Sequence, residues 1–133
     1  TNYNYTDISN TDRSNTDLIN LSDSSEQQSM DLMEEMELFQ MNTALVKRNI
    51  EYAKELTREI LLRGDAAITV HLYMTQCLSE ENEKERNIGL TAGMDILRRC
   101  DGIIVGEKFG ISEGMSKEIR CAKDGNMTIE YRD

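Results

Sequence analysis

Residues 101–120 read "DGIIVGEKFGISEGMSKEIR" and change character twice over a short span. Residues 101–106, "DGIIVG", form an apolar run bounded by glycines, the pattern of a short strand buried on both faces. Residues 107–114, "EKFGISEG", carry two glycines and read as a loop. From Met115 to Lys123 the apolar spacing becomes helical. Strand, loop and helix in that order make the repeating unit of a parallel α/β sheet.

The flanking sequence repeats this unit. Residues 127–131, "MTIEY", predict a last strand. Upstream, residues 83–99 predict a helix with Leu90, Met94 and Leu97 on one side. Residues 66–74, "AAITVHLYM", predict a buried parallel strand. Between 43 and 63, Val46, Ile50, Ala53, Leu56 and Ile60 recur at spacings of three and four, and Gly64 stands where a helix C-terminal cap belongs. The order helix, strand, helix, strand, helix, strand, joined by right-handed crossovers, predicts a small three-layer α/β fold with a parallel sheet, flavodoxin-like or Rossmann-like. Three strands make a thin sheet, and a further strand is expected before the first helix. "MELFQM" at 36–41 is the one candidate weighed for it, and it reads equally well as helix.

The N-terminal third differs. Residues 1–37 hold nine acids against Arg13, net −8, whereas residues 38–133 hold 16 acids and 14 bases, net −2. Residues 6–20 repeat a five-residue register, "TDISN TDRSN TDLIN". A pentapeptide solenoid needs a repeated apolar centre, and Arg13 and Asp23 break it at every second coil. Residues 1–25 carry too little apolar surface to offset chain entropy, and are expected to be disordered unless a partner orders them. The domain division is therefore an acidic low-complexity extension over 1–37 and an α/β domain over 38–133. Ser22, Ser24 and Ser25 before Glu26 mark a helix start, and Met30, Met33, Met36 and Met41 follow at irregular helical spacing. This Met-rich segment is expected to cover a core, with partner binding or oligomerisation as the functional reading.

The balanced domain gives no bulk reason to bind nucleic acid directly, while the acidic extension suits a basic protein surface. Asp7, Asp12, Asp17, Asp23, Asp31, Glu34 and Glu35 are its candidate partner-binding residues. Cys77, Cys100 and Cys121 have no disulfide or zinc spacing and read as free thiols in a reducing, cytoplasmic setting. No apolar run is long enough to span a bilayer, and no signal-peptide pattern opens the chain. Neither a metal nor a cofactor is expected.

In open α/β sheets ligands bind beyond the carboxyl ends of the strands. That rule selects His71 to Gln76 after one strand and Gly106 to Gly114 after the next. Ser112 near a helix cap and Gly114 beside it could hold an anion or a sugar hydroxyl through backbone amides, although glycine and serine also occur in such loops for turn reasons alone. His71, the single histidine, reads first as a structural residue. Glu113 and Glu118 are two carboxylates near one helix start, a pair that can divide nucleophile and acid/base roles in glycosyl chemistry. Helical glutamates are also common solvated residues.

Four pieces, "HLYMTQ" (71–76), "IGL…GM" (88–94), "RRCDGIIV" (98–105) and "ISEGMSKEI" (111–119), carry a family resemblance. Over about residues 48–131 the chain resembles small phage and bacterial domains that look like reduced nucleoside 2-deoxyribosyltransferases. The resemblance implies that Glu118, four residues after Gly114, is the nucleophile that forms a covalent deoxyribosyl intermediate. It places Asp101 at the opening of the preceding strand, and Glu113 where an acidic residue touches the sugar. His71, Gln76, Asp101, Ser112 and Gly114 are the ligand-binding candidates. Members of that family begin with a strand ending in a Ser-Pro-Tyr or Gly-Pro motif; this chain contains no proline, and "MELFQMNTAL" stands in its place.

The leading functional expectation is a phage-type accessory or anti-defence protein, anti-CRISPR action included. It would act in the cytoplasm of a bacterial host, with the acidic extension docked on a basic nucleic-acid-binding protein. The alternatives are a nucleotide-binding or sequestering module, or an enzyme acting at the N-glycosidic bond of (deoxy)nucleosides or nucleotides through Glu118. Homo-oligomerisation is compatible with each.

Overall fold

A computed structural model describes residues 2–7 and 25–133. In chain order the elements are β1 (Tyr3–Asp7), α1 (Ser25–Leu62), β2 (Ala66–Ile68), α2 (Val70–Cys77), α3 (Glu83–Leu97), β3 (Gly102–Gly106), α4 (Glu113–Asp124) and β4 (Thr128–Arg132). The strands form one parallel sheet in the order β2-β1-β3-β4. The expected α/β class with a parallel sheet is therefore the observed one.

The first strand lies where the sequence reading placed a disordered tail. β1 is an inner strand, pairing Tyr5 with Ile68 of β2 on one side and with Ile103 of β3 on the other. The candidate strand at 36–41 is helix, within α1. The boundary between extension and domain at residue 37 accordingly gives way, because the domain begins with β1. "YNYTD" lacks the Val and Ile that mark a buried strand, and Asn and Asp are depleted in strands. Polar groups of its first two residues find partners in the fold. The Tyr3 amide donates to Asp101 Oδ2 at 2.8 Å, and Asn4 Nδ2 donates to Asp65 Oδ2 at 2.8 Å. Residues 8–24, which hold most of the pentad register, lie outside the described residues.

Alternation along the strands divides the core between two helical layers. Tyr5, Ile103 and Val105 pack with Val70, Leu97, Met115, Ile119 and Ala122 on the α3/α4 side. Ile104 faces the other way and packs with Tyr52, Ala53, Leu56 and Ile60 of α1. Gly102 is required by close approach. A Cβ there would lie 2.9 Å from Asn4 Oδ1 and 3.0 Å from the Thr128 carbonyl oxygen. Gly64, with φ of 99°, follows α1 as the cap position predicts. The expected 66–74 strand is shorter, ending at Ile68, and α2 takes up the rest.

The chain divides into two compact units, Thr1–Asn10 with Asn49–Asp133, and Thr11–Arg48. The first holds the sheet. In the second, the described residues are the helical ones of α1. Met30, Met33, Met36 and Met41 there are 57–62 % exposed, so they do not cover a core as the sequence suggested.

Candidate functional site

A sheet in the order 2-1-3-4 reverses direction between β1 and β3, and such a switch point opens a crevice at the carboxyl ends of those strands. Three elements meet at this part of the fold, two of them with polar side chains. β1 carries Tyr5 and Asp7, which alternation puts on the same face of the sheet. α4 carries Met115, Glu118, Ile119 and Ala122 on its buried side, so Glu118 occupies an otherwise apolar stripe at helical spacing. α3 supplies Gly93, where an added Cβ would lie 3.3 Å from the Tyr5 hydroxyl.

Tyr5 Oη donates a hydrogen bond of 2.8 Å to Glu118 Oε1 across a buried contact. Tyr5 is 2 % exposed and Glu118 9 %. Glu118 Oε2 is also buried and has no hydrogen-bond partner among the described residues. Burial pushes the Tyr5 phenol far above its ordinary value. The charge of Glu118, the hydrogen bond to it and the charge of Asp7 push it the same way. The raised phenol agrees with the sense of the contact, hydroxyl donating and carboxylate accepting. Asp7 is 1 % exposed and adds a second buried acid close enough to act on Tyr5.

The other expected site residues disperse. Glu113 is 88 % exposed and pairs with Lys117 at 3.5 Å, so it is a solvated residue set apart from the buried face of Glu118. Ser112 is the N-cap of α4, accepting from the Met115 amide at 3.2 Å. At Gly114 a Cβ would meet nothing nearer than Ser112 Oγ at 3.9 Å, so packing does not demand glycine. His71 lies in the first turn of α2 rather than in a strand, with Nδ1 3.8 Å from Glu80 Oε1. Gln76 donates to the Leu72 carbonyl of its own helix at 2.9 Å. Asp101 precedes β3, at the opposite end of the sheet from the crevice. It ties β1 to β3 through the Tyr3 backbone, where its amide donates to the Tyr3 carbonyl at 2.8 Å. Its place is structural because strand ends need their backbone groups paired.

The acidic docking set also changes. Asp7 and Asp31 are buried, at 1 % and 5 % exposure, and cannot form part of a charged surface. Glu34 and Glu35 are exposed. Asp12, Asp17 and Asp23 lie outside the described residues.

Two concavities stand apart from the Tyr5–Glu118 contact. A shallow depression of about 670 Å³ runs along α3 past Glu83, Asn87, Thr91 and Asp95. A smaller one of about 180 Å³ is lined by Asn4, Arg63, Asp65, Asp101 and Glu130. The second is filled with satisfied ion pairs, Arg63 reaching both Asp65 and Glu130. Among the described residues no group of three or more acidic, histidine or cysteine side chains could hold a metal ion. No described helix is long and apolar enough to cross a membrane.

The sequence reading singled out Glu118 as a candidate, named Asp7 only as a docking charge, and named neither Tyr5 nor Gly93 as a site residue. The usable signal was architectural: the helix-first order demanded a preceding strand, and Tyr3, Tyr5 and Thr6 are residue types that strands favour. No curated protein and no solved structure matches the chain. The matching span in a comparison with protein families, residues 41–132, holds Gly93 and Glu118 but neither Tyr5 nor Asp7. Over that span, most of α1 through β4, the chain matches the family described as Domain of unknown function (DUF7768), and it belongs to that family.

Proposed function

We propose that this domain binds a nucleoside or nucleotide at the switch point between β1 and β3 and acts on its N-glycosidic bond through Glu118. The observation that carries the reading is the buried 2.8 Å contact from Tyr5 Oη to Glu118 Oε1. A carboxylate in an apolar helix stripe is costly unless something needs it there. This one is held in a fixed orientation by a phenol that keeps its proton, with its second oxygen left unbonded among the described residues.

In the proposed step, Glu118 Oε2 attacks the anomeric carbon as the carbon–nitrogen bond to the base breaks. The base leaves with a proton supplied by solvent, and the sugar is held as an ester on Glu118. Water, or a second base, then displaces the sugar and restores the carboxylate. Tyr5 orients the nucleophile by holding Oε1. Oε2 is covered in this structure, so binding has to uncover it.

The test is incubation with the deoxynucleosides and their 5′-monophosphates, with base release followed by chromatography and ligand binding followed by calorimetry. Base release that disappears in Glu118→Gln supports the reading. Binding without release reduces it to a nucleotide-binding module. Neither binding nor release removes it.

A further inference from the structure

Between residues 32 and 46, α1 carries a second pattern, separate from the Tyr5–Glu118 contact. Leu32, Met36, Phe39, Thr43 and Val46 are spaced by four, three, four and three residues, the 3.5-residue period of a helix–helix seam. The large side chains of this seam face solvent: Leu32 is 55 % exposed, Met36 62 %, Phe39 72 % and Val46 44 %. Phe39 is the most exposed large apolar residue described in the chain. At roughly 100–150 Å² each, four such side chains present about 500 Å² per molecule. That is at the upper end of the largest apolar patch expected on a monomer. Two copies facing each other would bury about 1,000 Å², the lower end for a specific interface.

Charge says which copy fits and which way round. Residues 26–37 hold Glu26, Asp31, Glu34, Glu35 and Glu37 and no base, whereas residues 38–48 hold Lys47 and Arg48 and no acid. Parallel pairing of two such helices stacks acid on acid. Antiparallel pairing sets each acidic turn beside the basic turn of the other.

We infer that the exposed seam of α1 pairs two copies of this chain as antiparallel helices. In the register that brings Met36 level with Val46 of the second copy, Phe39 is level with Thr43. The acidic turn that holds Glu34 and Glu35 is then level with the basic turn that holds Lys47 and Arg48 of the second copy. Each of these juxtapositions occurs twice by symmetry. The basic surface that the acidic segment meets is thus supplied by the same chain. The small buried area makes the dimer reversible and dependent on concentration.

The test uses the full chain. Sedimentation velocity across a wide range of protein concentration should show conversion from the 15.2 kDa monomer to twice that mass. Phe39→Glu should weaken the dimer about 30-fold or more, as for a central aromatic anchor. Circular dichroism checks that helix content is kept. Orientation is read by oxidative cross-linking in a Cys77→Ser background, since Cys77 is exposed. Met36→Cys and Val46→Cys proteins should cross-link when mixed, and neither should do so alone. A monomer at every concentration overturns the proposal. So does cross-linking of Met36→Cys or Val46→Cys protein with itself, which would mean parallel helices. Dimerisation that Phe39→Glu leaves untouched would place the interface elsewhere and also overturn it.

Discussion

Tyr5→Phe removes one oxygen atom and, with it, the single described hydrogen bond to the Glu118 carboxylate. Oε2 already has no partner among the described residues, so the variant leaves both oxygens of a buried carboxylate without one. Hydrogen bonds to charged groups contribute about 1.5–3 kcal/mol, and orphaning the acceptor puts the loss toward the upper end, about 3 kcal/mol. The space vacated is small, and Gly93 offers no side chain to fill it. For a chain of this length that corresponds to a fall of roughly 10 °C in melting temperature. Denaturant titration of wild type, Tyr5→Phe, Glu118→Gln and the double variant completes a cycle whose coupling should be about 1.5–3 kcal/mol. The pH dependence gives an independent check. The folded-state phenol value is raised, so the stability linked to Tyr5 is fully present below the unfolded value of 10.0 and is lost as pH rises beyond it. The gap between wild type and Tyr5→Phe should be flat below that pH and narrow above it. A Tyr5→Phe protein as stable as wild type, or a gap that does not narrow in alkali, would refute the account of this contact.

Two further outcomes follow from close approach and burial. Gly102→Ala should cost about 1–3 kcal/mol in a denaturant titration, because its Cβ would meet the Thr128 carbonyl oxygen at 3.0 Å and an Asn4 side chain already held by Asp65. An unchanged midpoint would mean that the β1–β3–β4 spacing is looser than described. In thiol alkylation at mildly alkaline pH, exposed Cys77 should react quickly. Buried Cys100 should react slowly, since burial and then the charge of Asp101 push its thiol up. Equal rates at the two positions would contradict that burial.

The second half of α1, α3, α4, β3 and β4 were legible because periodicity records burial, whereas α2 was read as strand. Ala53, Leu56 and Ile60 on α1, and Ile103 to Val105 on β3, announce their partners through spacing alone. Glu118 was legible through its spacing from Gly114 in a resemblance carried by "ISEGMSKEI". What failed was any feature whose chemistry is completed by a residue far away in sequence. Tyr5 and Glu118 are 113 positions apart, and Asn4 and Asp65 are 61. A polar pentapeptide held in place by such contacts looks, locally, like a tail. Glu113 failed in the opposite sense, since nearness to Glu118 in sequence put it on the solvated side of α4.

The linear order of residues sufficed for the α/β class and the parallel direction of the strands. These depend on local periodicity and on the handedness of crossovers. The tertiary fold determined that "YNYTD" is an inner strand and that Asp7 and Asp31 are not surface charges. It also determined that Glu118 has a phenol for a partner and that the methionines of α1 face water. Each of those depends on hydrogen bonds and close contacts between distant segments, and a strand made of polar residues gains its stability only when both neighbours are in place.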